Sequence, residues 1–246
     1  MLRSEDTIAT MTDGALPIAA AAARPAAAFP DHEAALGRRL AAALAVKAVL
    51  DRLAAFLLLV LMAPVFLAIA AAVGLGSAGP VFYRQRRTGL HGREFTILKF
   101  RTMVDTGGDK HDAAAWAAAE MGLPPPAAPL DRCTAVGHWL RRYGFDELPQ
   151  LVNVLRGEMN LVGPRPERPT IFAELRSHIV EYPLRQRAKP GITGLAQINH
   201  HYDRSLDDVR TKVSYDLEYI RRQSLREDLR IMLKTIPVIL LRRGGW

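Results

Sequence analysis

Cysteine is almost absent from this chain of 246 residues, which carries only Cys133. A single thiol excludes an internal disulfide and every paired-cysteine motif for metal or redox chemistry. The sequence also lacks the P-loop pattern GxxxxGK(S/T) and the GxSxG motif that places a nucleophilic serine on a sharp turn. The chain is therefore neither a disulfide-stabilised scaffold, nor a P-loop nucleotidase, nor a serine hydrolase of that design.

Aromatic residues are scarce as well. They make up 7% of the chain and are not interleaved with its basic runs. The formal net charge is +8 and the isoelectric point about 10, which predicts an anionic partner such as nucleic acid, acidic lipid or a phosphate-bearing substrate. Because single-stranded nucleic acid is bound by stacking on aromatic side chains, we expect no nucleic-acid partner.

The first 40 residues are rich in alanine and proline and contain few large apolar side chains. Such a segment buries too little surface to fold, so we predict a disordered tail over 1–40. An alanine-rich helix is the alternative, although Pro17, Pro25 and Pro30 would fragment it. Acidic residues near the start argue against a cleavable signal peptide.

Charge is absent from the 23 residues between Leu53 and Leu75. As one straight helix this run would be roughly 35 Å long, enough to cross a bilayer. Pro64 at its middle, however, removes a helical hydrogen bond and predicts a kink or break. Basic residues flank both ends, whereas a single crossing carries its Lys/Arg excess on one side. A crossing helix is the alternative, but we favour a re-entrant membrane helix-break-helix over 41–80 that returns to the face it entered.

The remainder, residues 81–246, predicts a small and mostly helical α/β domain. Residues 81–83 and 95–100 are short apolar runs typical of strands, and the glycines between them predict a hairpin. Residues 104–136 are polar and rich in alanine and proline, which predicts a loop or lid.

Three helices are predicted within this domain. One begins with Asp146 as its N-cap and closes near Gly157. A second covers the apolar residues from Ile171 to Val180. A third opens with a capping box from Ser224 to Glu227 and is amphipathic, so that its apolar face either packs on the core or lies on lipid.

Asp146 and Glu147 form an acidic pair at a helix start, surrounded in sequence by basic segments. The free N–H groups and the positive end of the helix dipole favour an ionised carboxylate there. Such a carboxylate could cap the helix, bind a divalent cation or attack a phosphorus atom. Because successive helical side chains diverge by roughly 100°, the two acids are not expected to share one role.

Cationic residues on stiff or regular backbone are the second group of candidates. Arg165 lies between two prolines, which fix its backbone and suit a preoriented guanidinium to phosphate binding. Lys99 and Arg101 would lie on one face of the second strand, as a further phosphate clamp. Lys189 precedes another rigid turn that contains two glycines.

Together these segments resemble the bacterial sugar transferase family, the monotopic polyprenyl-phosphate phosphoglycosyl transferases. The resemblance extends from about Lys47 to Leu240. It is carried by GPVFYRQRRTG (79–89), FTILKFRTM (95–103), DELPQLVNVLRGEMNLVGPRPERP (146–169), KPGITGLAQIN (189–199) and YDLEYI (215–220).

The resemblance implies an enzyme of the bacterial inner (cytoplasmic) membrane, anchored by a re-entrant hairpin with its break at Pro64. The catalytic domain would lie on the cytoplasmic face, with amphipathic helices at the interface. The implied reaction is Mg²⁺-dependent transfer of a sugar-1-phosphate from a UDP-sugar to undecaprenyl phosphate, with release of UMP. Membrane lipid is a further implied partner, and a homo-oligomer is compatible with the sequence.

The resemblance also assigns roles to single residues. Asp146 would be the nucleophile, forming a covalent phospho-sugar intermediate, and a metal ligand; Glu147 would be its partner acid. Five cations would handle phosphates: Lys99, Arg101, Arg141, Arg165 and Arg185.

The chain departs from the family at three places: Ala63 replaces a common serine before the membrane proline, Gly144-Phe145 replace Ser-Leu before the acidic pair, and Leu195 replaces a tryptophan. The alternative to an enzyme is a non-catalytic membrane adaptor of the same fold. Retention of Asp146, Glu147 and Arg165 favours the enzyme.

Overall fold

A computed structural model of the chain describes residues 30–104, 132–200 and 205–240. The chain separates into two compact units, 1–42 and 43–246, and apart from the start of the first helix the features below belong to the second. The described part is mostly helical, with two small two-stranded sheets. This agrees with the predicted fold class.

The first two helices form a bent pair. Helix α1 covers Pro30–Leu61 and α2 covers Ala63–Gly76, with Met62 at the break and Pro64 in the first turn of α2. Among the described residues no single helix is long and apolar enough to cross a membrane, whereas 41–61 and 63–76, bent by 65°, pass that test together. The predicted break at Pro64 is therefore confirmed as a feature of the backbone.

The bent pair buries only part of its apolar surface. Ala55 of α1 and Ile69 and Val73 of α2 are buried in the cores of the domain. A contiguous apolar surface of this kind is typical of an interaction site. The large apolar side chains that remain exposed are Leu44, Val46, Val49, Leu50, Leu53, Phe56, Leu57, Leu58, Val60, Leu61, Leu67 and Leu75.

The predicted hairpin is confirmed. Strands β1 (Phe82–Thr88) and β2 (Glu94–Phe100) pair antiparallel, with Phe82 opposite Phe100 and Tyr83 opposite Lys99. The connection turns at His91 and Gly92, both of which have positive φ. The Asn153 side chain holds the backbone of β2 by two hydrogen bonds: it accepts from Leu98 N at 3.1 Å and donates to Thr96 O at 2.7 Å.

The second half of the domain supplies the remaining elements. After α3 (Ala135–Tyr143) and α4 (Gln150–Leu155), strand β3 (Asn160–Val162) pairs parallel with β4 (Gly191–Thr193). Helix α5 (Pro169–His178) lies between these strands in sequence. Helices α6 (Leu195–Asn199), α7 (Leu206–Arg222) and α8 (Leu225–Leu240) follow.

Close backbone contact joins the two parallel strands. A Cβ atom on Gly163 would overlap with Lys189 O, and one on Gly191 would overlap with Gly163 N. Glycine is needed at both positions because another backbone fills the space that a side chain would occupy. The turn that carries Arg165 and the turn that follows Lys189 therefore lie directly against each other.

Three of the predicted boundaries differ from the structure. Helix α1 begins at Pro30, so residues 30–40 are helical rather than tail, since proline is tolerated in a first helical turn. Helix α5 ends at His178, and Val180 is 88% exposed. Asp146 lies in a 3₁₀ turn, and the α-helix starts only at Gln150. Residues 1–29 of the predicted tail and 105–131 of the predicted loop lie outside the described residues.

Helix α8 has two different faces. Ser224 accepts from Glu227 N at 3.3 Å, which confirms the predicted cap. One face of the helix packs inward through Asp228, Ile231 and Thr235. The opposite face leaves an apolar stripe exposed, formed by Leu225, Leu229, Leu233, Ile236 and Leu240.

A buried charge cluster links α1 to α8. Lys47 is 3% exposed and donates to Asp51 at 2.9 Å and to Asp228 at 2.5 Å. Tyr219 donates to the second oxygen of Asp228 at 2.8 Å and contacts Val162 O at 2.9 Å. One ammonium is thus shared by two carboxylates at the point where the bent pair meets the domain.

We predict that Lys47→Met destabilises the protein by about 3–5 kcal/mol, because it leaves Asp51 and Asp228 buried without a cation. Thermal unfolding in detergent would measure the loss. Arg210→Met is the matched control, since its side chain is 54% exposed and its ion pair with Asp207 contributes little. Equal losses in the two variants would contradict the prediction.

Candidate active site

The acidic pair lies on a tight turn between α3 and α4. Gly144 ends α3 in the left-handed conformation with φ +69°, and residues Phe145–Glu147 form a 3₁₀ turn. A serine at position 144 would be strained in this conformation, which explains the glycine found there. The turn sends the two carboxylates in different directions, as predicted.

Glu147 points into the protein and is held by two cations. Lys99 donates to its Oε1 at 2.5 Å, and Arg165 donates to the same oxygen at 2.9 Å. Burial opposes its ionisation, but the charges and hydrogen bonds of Arg165 and Lys99 outweigh burial and lower the pKa of Glu147 to about 2. Glu147 is therefore an anion that fixes the positions of Lys99 and Arg165.

Asp146 points instead into a cavity of about 770 Å³. Asp146 is 6% exposed, and its Oδ1 has no hydrogen-bond partner among the described residues. Burial raises the pKa of Asp146 above its ordinary value, against the opposing charges of Lys99 and Arg141. A buried carboxylate oxygen without a partner is costly in a folded protein, and it suits an atom that completes its contacts with a ligand.

The cavity is strongly cationic. Among the described residues that line it, Asp146 is the single carboxylate, and it faces one lysine and six arginines. Such an arrangement attracts a substrate with several negative charges. The cations are Lys99, Arg84, Arg87, Arg101, Arg132, Arg141 and Arg168.

Arg141 is oriented from α3 towards this cavity. Its Nε donates to Thr102 Oγ1 at 2.9 Å, and its NH2 lies 3.1 Å from Met103 Sδ. These are uncharged partners, so the positive charge of Arg141 is not neutralised by them. This is consistent with the predicted phosphate contact.

Arg101 lines the cavity, but its guanidinium donates hydrogen bonds to backbone carbonyls. Its NH1 donates to Pro80 O at 2.6 Å, and its NH2 donates to Ser77 O at 2.6 Å and to Val73 O at 3.2 Å. These groups belong to the end of α2 and the residues after it, where helical carbonyls lack partners. Arg101 thus caps the second helix of the bent pair, a role that the phosphate-clamp prediction missed.

Arg185 does not line this cavity. Its Nε donates to Asp216 at 2.6 Å, its NH1 to Tyr182 at 2.8 Å and its NH2 to Arg165 O at 2.9 Å. These protein partners occupy three nitrogens of Arg185, and its phosphate contact stays a prediction. Arg185 holds the backbone of Arg165, whose own guanidinium pairs with Glu147 beside Asp146.

Sequence reasoning passed over several residues of the cavity. Arg84 and Arg87 occur in the matched segment 79–89, among the basic residues that follow the uncharged run. Arg168 lies two residues after Pro166, and Arg132 lies within the segment 104–136, whose composition predicts a loop. The density of arginines in segment 79–89 was the signal that could have identified the first two.

The donor set fits Mg²⁺ bound mainly by substrate. The described residues contain no group of three or more His, Cys, Asp or Glu side chains that could hold a metal ion. Mg²⁺ commonly uses one or two carboxylates together with substrate phosphates and water. Asp146, the single carboxylate among the described residues that line the cavity, meets that requirement.

We predict that Glu147→Gln costs on the order of 3 kcal/mol of unfolding free energy at pH 7. Because the pKa of Glu147 is about 2 in the folded protein and 4.5 ordinarily, its contribution is complete above about pH 4.5 and is lost as the pH falls towards 2. Denaturant titrations from pH 7 to 3 should show the difference from wild type shrinking. The control, Glu174→Gln at a side chain 53% exposed, should change little at any pH; a loss for Glu147→Gln that does not vary with pH would refute the prediction.

Comparison with known proteins agrees with this geometry. The model of the bacterial sugar transferase family matches residues 42–242. A UDP-glucose:undecaprenyl-phosphate glucose-1-phosphate transferase of Caulobacter vibrioides is 43% identical over 196 residues, which cover 79% of this chain and 69% of that protein. The exopolysaccharide production protein ExoY of Rhizobium meliloti is 40% identical over 205 residues, covering 80% and 86%.

A third relative has a different sugar in its name. It is a UDP-N-acetylgalactosamine-undecaprenyl-phosphate N-acetylgalactosaminephosphotransferase of Aeromonas hydrophila, 39% identical over 200 residues that cover 81% of this chain but 45% of the relative. Because the family match covers most of the chain and these relatives are near 40% identical, the chain belongs to the bacterial sugar transferase family and is an enzyme of that family.

Proposed function

We propose that this enzyme transfers a sugar-1-phosphate from a UDP-sugar to undecaprenyl phosphate and releases UMP, as the first membrane step of exopolysaccharide or glycoconjugate synthesis. The observation that carries the proposal is the Asp146 carboxylate, which lines a cavity together with seven cations and has one buried oxygen, Oδ1, without a hydrogen-bond partner among the described residues. The names of the three relatives supply the substrate classes.

In the first step, an oxygen of Asp146 attacks the phosphorus that bears the sugar. The bond between that phosphorus and the oxygen bridging to UMP breaks, and UMP leaves with the electron pair. A phospho-sugar group is then bound to Asp146 as an acyl phosphate. Burial raises the pKa of Asp146, which disfavours the free anion, but a bound dication or the cavity cations favour it.

The cations of the cavity stabilise the charge that moves onto the departing UMP. Lys99 is held beside Asp146 by Glu147, and Arg141 faces the cavity through its uncharged partners. Mg²⁺, when bound at Asp146, would neutralise the diphosphate of the donor. Glu147 acts by positioning Lys99 and Arg165 rather than by exchanging a proton, because its pKa of about 2 keeps it ionised.

In the second step, a phosphate oxygen of undecaprenyl phosphate attacks the same phosphorus. The bond to Asp146 breaks, which yields undecaprenyl diphosphate sugar and restores the carboxylate. Both displacements occur at one phosphorus atom, so a single cavity serves both substrates in turn.

The lipid acceptor explains the exposed apolar surface of α1 and α2. We propose that the bent pair enters the inner leaflet of the bacterial cytoplasmic membrane and returns, with the catalytic domain on the cytoplasmic face. Support comes from the 65° bend and from twelve large apolar side chains exposed on these two helices. The exposed stripe on α8 would then lie at the interface.

We predict that Asp146→Asn lowers UMP release at least about a thousandfold, because an amide is not a nucleophile at this step. Membrane association should be unchanged, since the anchor and the carboxylate belong to different segments. UMP release would be measured with detergent-solubilised protein, Mg²⁺, undecaprenyl phosphate and donors that include UDP-glucose and UDP-N-acetylgalactosamine.

Asp207→Asn is the matched control, because that side chain is 88% exposed on α7, and it should keep wild-type turnover. Near-normal turnover in Asp146→Asn would remove Asp146 from the nucleophile role. A wild-type protein that stays silent with every donor would instead favour the non-catalytic adaptor.

We predict that EDTA abolishes UMP release by the wild-type enzyme and that added Mg²⁺ restores it. The reason is that Asp146 faces the diphosphate without a second carboxylate in the described lining of the cavity, so the metal depends on substrate for its remaining ligands. Equilibrium dialysis should accordingly show weak Mg²⁺ binding that strengthens when UDP-sugar is present. Undiminished turnover in EDTA would contradict a metal requirement.

A further inference from the structure

One wall of the cavity differs from the rest. Pro80, Val81, Phe82 and Phe100 line it together with the cations. Phe82 is 41% exposed, whereas Phe100 behind it is 1% exposed. The two rings stack with centroids 5.5 Å apart and planes 24° apart. The cavity thus has a cationic region around Asp146 and an apolar region formed by the start of β1.

The apolar wall is continuous with the bent helix pair. Phe66 of α2 contacts Phe100 with ring centroids 5.3 Å apart, so three rings follow one another from α2 to the cavity. Near the end of α2, Leu75 is 90% exposed. Arg101 fixes this junction, because it donates to carbonyls on α2 and to Pro80 O. Because Phe100 is 1% exposed, these rings support the wall from beneath and are not its surface. The wall itself adjoins α2 through Val81, whose Cγ2 would lie 3.6 Å from a Cβ atom on Gly74.

A ligand that matches both regions has an anionic head and a long apolar chain. The uracil base of the UDP-sugar donor could stack on the exposed ring of Phe82, but only the acceptor has an apolar chain that could continue from Phe82 onto the exposed helices. We propose that the wall formed by Pro80, Val81 and Phe82 binds the first isoprene units of the polyprenyl phosphate acceptor. This proposal rests on the proposed function and names the place where its second substrate lies.

The position of this wall determines the orientation of the bound acceptor. The phosphate lies among the cations near Asp146, the first isoprene units contact Phe82, and the remaining chain passes along α2 into lipid. Because isoprene units contribute affinity only where they bury apolar surface, Phe82 should distinguish acceptors by their chain and should not affect the donor.

The kinetic test compares Phe82→Asn with Phe82→Leu in lipid nanodiscs of fixed composition. We expect Phe82→Asn to raise KM for undecaprenyl phosphate about tenfold, the loss of a modest apolar contact, and to leave KM for the UDP-sugar unchanged. Phe82→Leu keeps an apolar side chain and should restore most of the affinity. Val180→Asn is the matched control, since Val180 is an apolar side chain, 88% exposed, outside the lining of the cavity.

Two kinetic outcomes would overturn the proposal. An unchanged acceptor KM in Phe82→Asn would show that the chain does not contact this wall. An equal rise in donor KM would show that Phe82 supports the UDP-sugar or the fold of the cavity instead. Circular dichroism and thermal unfolding would verify that Phe82→Asn is folded, and Phe82→Leu carries the comparison if it is not.

A binding test does not depend on turnover. A photoreactive isoprenyl phosphate should label the segment 80–84, and undecaprenyl phosphate should compete with the label whereas phosphatidylglycerol should not. Labelling confined to α8, or competition by phosphatidylglycerol, would refute the subsite. Specific labelling of 80–84 in a protein that releases no UMP would retain the subsite and reject the proposed reaction, so the two failures are distinguishable.

Discussion

The buried ion triad of Lys99, Glu147 and Arg165 is the interaction on which the rest of the site depends. Each member comes from a different segment: β2, the 3₁₀ turn and the turn that follows β3. The side chain of Glu147 is 4% exposed, whereas those of Lys99 and Arg165 are 17% and 28% exposed, so the carboxylate is buried and the two cations partly reach solvent. Because Glu147 accepts hydrogen bonds from Lys99 and Arg165 and balances one of their two positive charges, the adjacent Asp146 is the carboxylate left to interact with a ligand.

Layers of polar contacts behind this triad hold it in place. Arg185 bonds to Asp216 of α7 and supports the carbonyl of Arg165. Asn153 of α4 pins the strand that carries Lys99. Tyr219 contacts Val162 O at the end of β3 and also Asp228 in the cluster around Lys47. The geometry at Asp146 is therefore linked through hydrogen bonds to the helices that carry the apolar surface.

Local patterns predicted the local features of this fold. Pro64 predicted the helix break, the glycines after β1 predicted the hairpin, and Ser224 predicted the start of α8. Each of these features depends on residues that are neighbours in sequence. The protein contacts of Arg101 and Arg185 could not be predicted because their partners, the end of α2 and Asp216, are distant in sequence. Whether an arginine binds a phosphate or a protein carbonyl depends on those partners, which composition and spacing do not reveal.

The back-to-back glycines, Gly163 and Gly191, have a consequence for how this enzyme can vary. The turn that carries Arg165 and the turn after Lys189 are in backbone contact, so neither can shift without the other. Any side chain at either glycine would force the strands β3 and β4 apart and would move Arg165 away from Glu147. Variation in substrate preference must therefore arise in the elements around the cavity mouth, while these two turns change only together.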